Sequence, residues 1–504
     1  MTGSASTNSP DFQPATSGVG VATQPDVEDV SLTGDYDEAA VPASRRRSKT
    51  VMFLIFVTLQ IAMSTIYTGF LARSEGLSFD QLLVACLAGL GAMFIYGIGA
   101  ANVGAVTGQA LALLARTVFG RVGTSVVSIL LIVMGIGWYA FQARFLAQLL
   151  GGLFTVSSVA LWGAVAALLM MANNIFGFRG IATFARFVAA PILLLWGAYA
   201  LIKALATMPS SQIFAAAPHV AAPTTILVIS GLLVGGAVWG NEPDVFRYSQ
   251  GRPWWNLPAL VGGYTIGIFI FPVLGYLLAE LAVNTALGAF VKNIVPFSLF
   301  GVTALAVILL VVNQFALNDG NLYEAVNALQ NLIDRIRNWR RLYSVLVLGA
   351  IGAVVAASMS SLQKDFFIVA GISAIFVPCA TTIVAVDVFV LPRVIKGRRR
   401  PVDRITSWSK VAVCNWLGLI ALLVAVGIGS YTGGLIPGLS GFGTENIGYP
   451  ALQAWAITAV LYVLLAVLAP ARHREVLLGY PHTLDTPEEE DHRQQDETDS
   501  VVPT

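Results

Sequence analysis

The chain has 504 residues, of which 56% are hydrophobic and only 11% are charged, and its formal net charge is +1. Apolar runs of about 18–25 residues recur along it, long enough to cross the roughly 30 Å hydrocarbon core of a bilayer as helices. A soluble fold is therefore excluded, and the lack of a basic stripe in the sequence excludes a nucleic-acid partner.

Cysteine and histidine do not form a metal-binding or catalytic pattern. The three cysteines, Cys86, Cys379 and Cys414, fall inside apolar runs and lack ligand spacing. All four histidines lie outside the predicted spans, and the spans contain no nucleophile and base at a recognisable spacing. We therefore expect no catalytic residue, no resident metal and no cofactor, and a protein that is not an enzyme.

Both ends of the chain are polar and acidic. Residues 1–44 carry seven acidic residues and no Lys or Arg, and they lack the basic start and apolar middle of a signal peptide. Residues 475–504 form a second acidic segment. Both are predicted to be disordered cytoplasmic tails flanking a transmembrane transporter domain at residues 50–470. No obligate protein partner is indicated.

About twelve membrane-spanning helices are predicted from the lengths of the apolar runs. The predicted spans are 51–72, 80–101, 125–150, 157–172, 181–205, 224–240, 257–281, 297–317, 343–360, 366–391, 408–428 and 450–470. The stretch from Thr285 to Ile294 is too short to span and is predicted to be a re-entrant or surface helix. Ten spans followed by two suit inverted five-helix repeats, about 50–205 and 224–391, with extra helices at 408–470.

Positive charge predicts the orientation. Lys and Arg gather before the first span and in every even-numbered connection, for example at Arg45-Arg46-Arg47, at Arg247 and from Arg393 to Arg404. Because short cytoplasmic loops retain positive charge, both termini are predicted to be cytoplasmic. The expected location is the plasma (cell) membrane, with the lipid bilayer as the surroundings of a multi-pass protein.

The first and sixth spans correspond in such a repeat. The sixth contains Gly235-Gly236 and then Gly240-Asn241-Glu242-Pro243, a composition that interrupts a helix and frees backbone groups near the midplane. The first, from Thr58 to Gly69, has hydroxyl residues and one glycine but no Gly-Gly pair or proline. A break is therefore predicted in the sixth span, and the first gives a weaker signal for one.

Two spans carry a tryptophan together with an amide. Trp138 and Gln142 are four residues apart and share one helix face. An indole stacks on a planar ring, and an amide donates to and accepts from the edge of that ring. Trp239 and Asn241 repeat the combination at the predicted break. The alternative is a tryptophan packed on neighbouring helices, with Gln142 bonded to another helix.

The eighth span ends in a polar cluster of Asn313, Gln314, Asn318, Asp319 and Asn321. Buried amides cost several kcal/mol unless they find partners, so a bound ligand or ion is the leading explanation. Asn313 and Asn318 are separated by about 140° around a helix and need not serve one ligand. Asp319 has either a structural role, as a cap or as a partner of arginines in the next loop, or a role in ion coupling.

Two acidic residues follow the predicted break. Glu242 lies deeper and either binds a proton near neutral pH or bonds a loop backbone. Asp244 is three residues before Arg247 and most simply forms a local ion pair. Both remain candidates for cation coupling.

The chain resembles the nucleobase:cation symporter-1 family, the cytosine, purine and hydantoin permeases, over about residues 50–470. The segments that carry the resemblance are Gly104-Ala105-Val106-Thr107-Gly108, Arg116-Thr117-Val118-Phe119-Gly120-Arg121-Val122-Gly123, Gly137-Trp138 with Gln142, Pro243-Asp244-Val245-Phe246-Arg247-Tyr248 and Asn318-Asp319-Gly320-Asn321-Leu322-Tyr323. The resemblance implies an all-α polytopic fold, the leucine-transporter-type five-plus-five inverted repeat with two extra helices. It also implies alternating access around a site formed by helices one, three, six and eight.

The resemblance also implies roles for five residues in substrate binding. Trp138 and Gln142 match the family's stacking tryptophan and hydrogen-bonding glutamine. Trp239 matches the aromatic residue on the other side of the substrate ring. Asn241 and Asn318 fall where polar contacts to substrate are made.

One departure from the family concerns the coupling ion. Sodium-coupled members place adjacent hydroxyl residues on the eighth helix, where this chain has Ala316 and Leu317, whose side chains cannot ligate a hard cation. What remains is Asn313 with the carbonyls near Ile61 and Ser64. Proton coupling is therefore expected rather than sodium coupling. The candidate carriers are Glu242, Asp244 and Asp319.

The sequence thus predicts a symporter that imports a small planar nucleobase, cytosine or a purine. The alternatives are a carrier of another planar heterocycle, such as a hydantoin, allantoin or a vitamin precursor, and an amino-acid carrier of the same fold. An amino-acid carrier usually needs a glycine-rich break in helix one, which the segment from Thr58 to Gly69 lacks. A channel or membrane sensor is the alternative from a different class, and counterflow exchange distinguishes it from a carrier.

Overall fold

A computed structural model describes most of the transmembrane domain. The described residues are 35–36, 39–215, 223–237, 242–252, 254–281, 287–333, 339–395, 400, 402, 408, 411–436 and 447–480. Within these ranges every regular element is helical. Trp239 and Asn241, together with the greater part of both predicted tails, lie outside them.

The helices follow one another with short connections. The first part of the chain forms α1 (Lys49–Gln60), α2 (Met63–Ser74), α3 (Phe79–Thr107), α4 (Leu111–Leu153), α5 (Val159–Met170), α6 (Gly177–Phe184) and α7 (Ala190–Thr207). The next part forms α8 (Ser210–Ile213), α9 (Pro223–Ala237), α10 (Glu242–Phe246), α11 (Leu257–Tyr264), α12 (Phe271–Glu280), α13 (Leu287–Ile294), α14 (Thr303–Ile333), α15 (Arg341–Ser358), α16 (Leu362–Ala385) and α17 (Leu391–Val394). The last part forms α18 (Trp416–Thr432), α19 (Pro450–Leu468) and α20 (Ala471–Leu478).

The helices account for the predicted spans. Among the described residues nine helical stretches are long and apolar enough to cross a membrane, or ten if α1 and α2 count as one bent span. One of these stretches, Val159–Thr207, has 49 residues and contains the fourth and fifth predicted spans. The eleventh predicted span is α18, an apolar helix of 17 residues. These two features explain the difference from the predicted twelve.

The first span is broken more sharply than its sequence indicates. It consists of α1 and α2, which meet at 44° because Ile61 and Ala62 have extended backbone between them. The sixth span consists of α9 and α10, and the residues between them are not described. A broken first span is thus a finding that the sequence signalled only weakly.

The eighth span is longer than predicted. Helix α14 continues well past residue 317 to Ile333, so the polar cluster lies at mid-helix rather than at an end. The hydropathy of the sequence falls at the cluster, but the helix continues because its backbone groups remain paired within it. The consequence is that the polar residues lie at the centre of the bundle.

Two glycines set the distance between α2 and α12. A Cβ built on Gly69 would lie 1.9 Å from the carbonyl oxygen of Pro272, and one built on Gly275 would lie 1.8 Å from that of Ile66. Neither position has room for any side chain. The broken first span is therefore held directly against the backbone of α12.

Arginine side chains mark one end of the bundle, which we call the basic end and define by Arg116, Arg247, Arg341 and Arg400. Arg116 bonds Asn331 near the end of α14, and Arg341 bonds Asn327. Arg400 donates to the carbonyls of Thr117 and Gly479. The first two bonds join the ends of α4 and α15 to the end of α14.

The replacement of Gly275 by Ala tests the α2–α12 contact. The added methyl group must push two backbones apart, so G275A is expected to lower the free energy of unfolding by about 1–3 kcal/mol, the usual range for overpacking. The measurement is the thermal unfolding midpoint in detergent. The matched control is G231A, because a Cβ at Gly231 meets nothing within 4 Å and alanine favours helix by about 1 kcal/mol over glycine. Equal midpoints for the two variants would contradict the packing described.

Candidate functional site

The break in the first span is bridged by the side chain of Asn313. Its Oδ1 accepts a hydrogen bond from the backbone N–H of Met63 at 3.1 Å, and its Nδ2 donates to the carbonyl of Ile61. Asn313 is completely buried. One amide of α14 therefore supplies both the acceptor and the donor that the interrupted helix lacks.

A second amide connects the first span to the sixth. Gln60, the last residue of α1, donates from Nε2 to the carbonyl of Ala237 at 2.9 Å. Ala237 is the last residue of α9. The end of α1, at the break in the first span, is therefore joined directly to the end of α9.

A narrow cavity lies between α4, α9, α14 and α16. Its lining residues are Met134, Trp138, Gln142, Gly236, Leu317, Asn321, Glu324 and Ser373. The cavity volume is about 10 Å³, room for about one water molecule. The walls are therefore close together, as in a binding site that must open to admit a ligand.

Trp138 and Gln142 line this cavity together, as expected for residues on one helix face. The indole of Trp138 is held edge to face by Phe141, at a centroid distance of 5.6 Å, and by Phe366, at 6.2 Å. Gln142 is buried, and its Nε2 makes a long 3.5 Å contact with Oγ of Ser64. Its Oε1 has no hydrogen-bond partner among the described residues. A buried acceptor without a donor is costly, so a ligand that donates a hydrogen bond to Oε1 gains binding free energy.

Asn318 is not a lining residue of this cavity. Its Nδ2 donates to the carbonyl of Tyr139 at 3.0 Å and contacts Sδ of Met170, while its Oδ1 accepts from Asn321. Asn321, one turn further along, lines the cavity instead. Asn318 thus orients the amide of Asn321, and its direct contact with substrate stays a prediction.

Glu324 is the lining residue that the sequence analysis missed. It follows Asn321 by three positions and Leu317 by seven, which places all three on one face of α14. This spacing was a usable signal, but the predicted span ended at residue 317. Its side chain is buried, and Oε1 has no hydrogen-bond partner in the described part of the chain.

Glu242 and Asp244 are buried on α10 and have donors on both oxygens. Glu242 accepts from the hydroxyls of Tyr96 at 3.0 Å and Tyr264 at 3.2 Å. Asp244 accepts from the N–H of Leu111 at 2.8 Å, at the first turn of α4, and from Nδ2 of Asn327 at 2.7 Å. Asp244 therefore caps α4, a structural role that the sequence analysis did not anticipate.

Asp319 projects from α14 toward the connection between α5 and α6. Its Oδ2 accepts from Asn173 at 3.0 Å, and its backbone carbonyl accepts from Asn174. It is fully buried, and its Oδ1 has no bond to another described residue. It does not line the cavity, so its proposed part in coupling stays untested.

The end of the predicted N-terminal tail covers the basic end. The carboxylate of Asp35 accepts from the hydroxyl of Tyr248 and the N–H of Phe178, and it lies 3.8 Å from the guanidinium of Arg247. Arg247 also donates to the carbonyl of Tyr36. Burial alone would raise the pKa of Asp35, but Arg247 and another buried arginine outweigh it and hold that pKa below its usual value.

This geometry points to a class of protein. A broken first span lies against α9 in a polytopic helical bundle, and the bundle encloses a narrow buried cavity, an arrangement found in membrane transporters. Solved structures share this fold. One is Mhp1, a nucleobase-cation-symport-1 family transporter, closed with bromovinylhydantoin bound, with TM-score 0.66, 15% identity and coverage of 85% of this chain and 94% of that one. Mhp1 facing inward gives TM-score 0.63, 17% identity and coverage of 87% and 94%.

A third structure and two sequence relatives extend the comparison. A Na+-coupled sialic acid symporter has TM-score 0.56, 9% identity and coverage of 84% and 91%. The cytosine permeases of Escherichia coli O157:H7 and of strain K12 are each 24% identical over 416 residues, which is 81% of this chain and 92% of theirs. No family model matches the chain.

These relatives support assigning the chain to the nucleobase-cation-symport-1 family, as its motifs predicted. They also confirm the all-α polytopic fold and a transporter rather than an enzyme, because the relatives are named as permeases, transporters or symporters. The protein is therefore a multi-pass membrane transporter. The comparisons leave its ion and its substrate open.

Truncation of Asn313 tests the bridge across the first span. In N313A the N–H of Met63 and the carbonyl of Ile61 lose their partners, so the free energy of unfolding is expected to fall by about 2–6 kcal/mol, the sum for two unsatisfied buried groups. Thermal unfolding in detergent is the measurement. The control is Q314A, since the neighbouring Gln314 is equally buried but its side chain has no partner among the described residues. A loss in Q314A as large as in N313A would sink the assignment.

Proposed function

We propose that this protein is a secondary active transporter, a symporter that imports a planar nucleobase such as cytosine or a purine by alternating access, and that protons rather than sodium ions drive it. The observation that carries the proposal is the unpaired Oε1 of Gln142 beside the indole of Trp138 in a narrow buried cavity. A slot of this kind suits a flat molecule with hydrogen-bonding edges.

The cavity matches the chemistry of a nucleobase. Trp138 offers a flat apolar surface for one ring face, and Gln142 offers an unpaired acceptor to a ring N–H. The amide of Asn321 lies on the opposing helix and is held in place by Asn318. The relatives named as cytosine permeases agree with this chemistry.

Trp239 and Asn241 complete the proposed site. In the sequence they lie between Ala237 of α9 and Glu242 of α10, and Gly236 of α9 lines the cavity. We assign Trp239 to the second face of the substrate ring and Asn241 to its edge. A hydantoin is the second candidate substrate, because Mhp1 was solved with a substituted hydantoin bound.

Asn313 supports protons over sodium. Its amide nitrogen donates to the carbonyl of Ile61, an oxygen that a sodium ion at this break would need. Ala316 and Leu317, on the next turn of α14, offer carbon atoms only. Ser64 keeps a hydroxyl nearby, but Gln142 contacts it. A cation at this position would therefore have to displace an amide that already satisfies the broken backbone.

We place the basic end of the bundle on the cytoplasmic side of the membrane. Short cytoplasmic loops retain Lys and Arg, and the arginines that define the basic end fit this rule. Both termini then lie inside the cell, and the transporter resides in the plasma membrane. Substrate enters from the opposite end of the bundle. The walls of the narrow cavity move apart before or after the substrate binds.

Substitution of the cavity side chains tests the substrate site. W138A removes the stacking surface and Q142A removes the edge acceptor, so each is expected to reduce uptake of labelled cytosine or purine at least tenfold, in line with about 1.4 kcal/mol of lost binding. Uptake into proteoliposomes is the measurement. The control is W162A, since Trp162 is 47% exposed on α5, away from the cavity. If W138A and Q142A leave uptake of every tested base and hydantoin unchanged, the proposed site is wrong.

Ion gradients test the coupling. In proteoliposomes an inwardly directed pH gradient of one unit is expected to drive up to about tenfold accumulation per proton. A sodium gradient at equal pH on both sides should drive none, because no oxygen cage for sodium remains around Asn313. Accumulation driven by sodium alone would overturn the proton proposal and leave the transporter assignment intact.

A further inference from the structure

We infer that Glu324 is the proton-binding residue of the cavity, taking up a proton on the substrate side and releasing it toward the basic end past Asp244 and Glu242. The inference rests on the proposed function and names the site of its coupling ion. The sequence analysis had named only Glu242, Asp244 and Asp319 as candidate carriers. Glu324 differs from all three in its position and its partners.

Position is the first argument. Glu324 lines the same cavity as Trp138, Gln142 and Asn321, and its side chain is only 4% exposed. It is the acidic residue among the described lining residues. A group that couples proton binding to substrate binding must be accessible to the proton and to the substrate. The carboxyl of Glu324 meets that requirement.

The lack of donors is the second argument. Glu242 accepts two tyrosine hydroxyls, and Asp244 accepts a backbone N–H and an amide. Oε1 of Glu324 is buried and has no such donor within the described ranges. A buried carboxylate without a partner costs several kcal/mol. A proton or a ring N–H of the substrate supplies the missing partner.

The charges around Glu324 are the third argument. The acidic groups that act on it electrostatically are Asp244 and Glu242, both on α10, and the buried hydroxyl of Tyr96 on α3 also interacts with it. The other nearby charged side chains bond elsewhere. Those bonds join Arg116 of α4 to Asn331, Arg341 of α15 to Asn327, Arg247 to Tyr36 and Tyr323, and Asp319 of α14 to Asn173. The carboxyl is thus influenced by acids and can exchange a proton.

The proposed step transfers one proton and no electrons. A carboxylate oxygen of Glu324 forms an O–H bond with a proton from water on the substrate side, and the neutral acid can then donate to a substrate acceptor. When the basic end opens, that O–H bond breaks and the proton leaves to water. Asp244 and Glu242 lie on this side of the cavity, and their negative charge favours passage of the proton toward the basic end.

The test compares net transport with exchange. Glu324→Gln keeps the size of the side chain and stays neutral, so E324Q is expected to exchange labelled for unlabelled cytosine but not to accumulate it. Wild-type protein should accumulate up to about tenfold per pH unit, and E324Q should reach a ratio near one. A pH indicator should report proton uptake with substrate in wild-type proteoliposomes and none in E324Q. The control is E75Q, the same change of Glu to Gln at an exposed residue just after α2 that does not line the cavity, and it should keep both signals.

The outcomes separate the inference from the proposed function. Accumulation and proton movement retained in E324Q would overturn the inference alone. If folded E324Q neither binds nor exchanges cytosine, Glu324 is a substrate contact and the inference is also wrong. If E324Q does not fold, E324D is used, and a pH profile of transport identical to wild type would overturn the inference. Failure of wild-type protein to exchange any base would instead refute the proposed function.

Discussion

The side chain of Asn313 lies where the first span stops being a helix, and it replaces the hydrogen bonds that the helix gives up. Extended backbone at Ile61 and Ala62 leaves polar groups inside a membrane protein, where water is not available to pair with them. Because the amide comes from α14, the bend in the first span is fixed relative to the helix that also carries Asn321 and Glu324. The contact thus holds the broken span against the helix that forms one wall of the cavity.

Buried polar groups in this protein fall into two kinds. Some are fully paired and hold the framework, as Asn318 holds Asn321 and Asp244 caps α4. Others, such as Oε1 of Gln142 and of Glu324, are unpaired within the described residues and face the same cavity. An unpaired buried group is destabilising, so a bound molecule that pairs with these two oxygens gains binding free energy.

Much of the fold and part of the site could be predicted from sequence. The apolar runs located the helices, and the spacing of Trp138 and Gln142 placed both on one face. The break at Ile61 was weakly signalled because its cause is Asn313, about 250 residues away, rather than a local glycine or proline. Glu324 was missed because hydropathy ends a span where polar residues begin, whereas the helix continues. The direct substrate contact of Asn318 was assigned by resemblance, while the structure shows its amide already engaged.

The contacts of Asp35 and Tyr36 with Arg247 affect the turnover rate of the transporter. Arg247 directly follows α10, so a tilt of α10 away from α14 must first break the bonds of this arginine to Asp35, Tyr36 and Tyr323. Opening the cavity toward the basic end therefore also requires free energy to break the contacts of the segment that contains Asp35 and Tyr36. Turnover then depends on a piece of polypeptide that never touches the transported molecule, and its sequence can tune the dwell time of the closed form while leaving affinity unchanged.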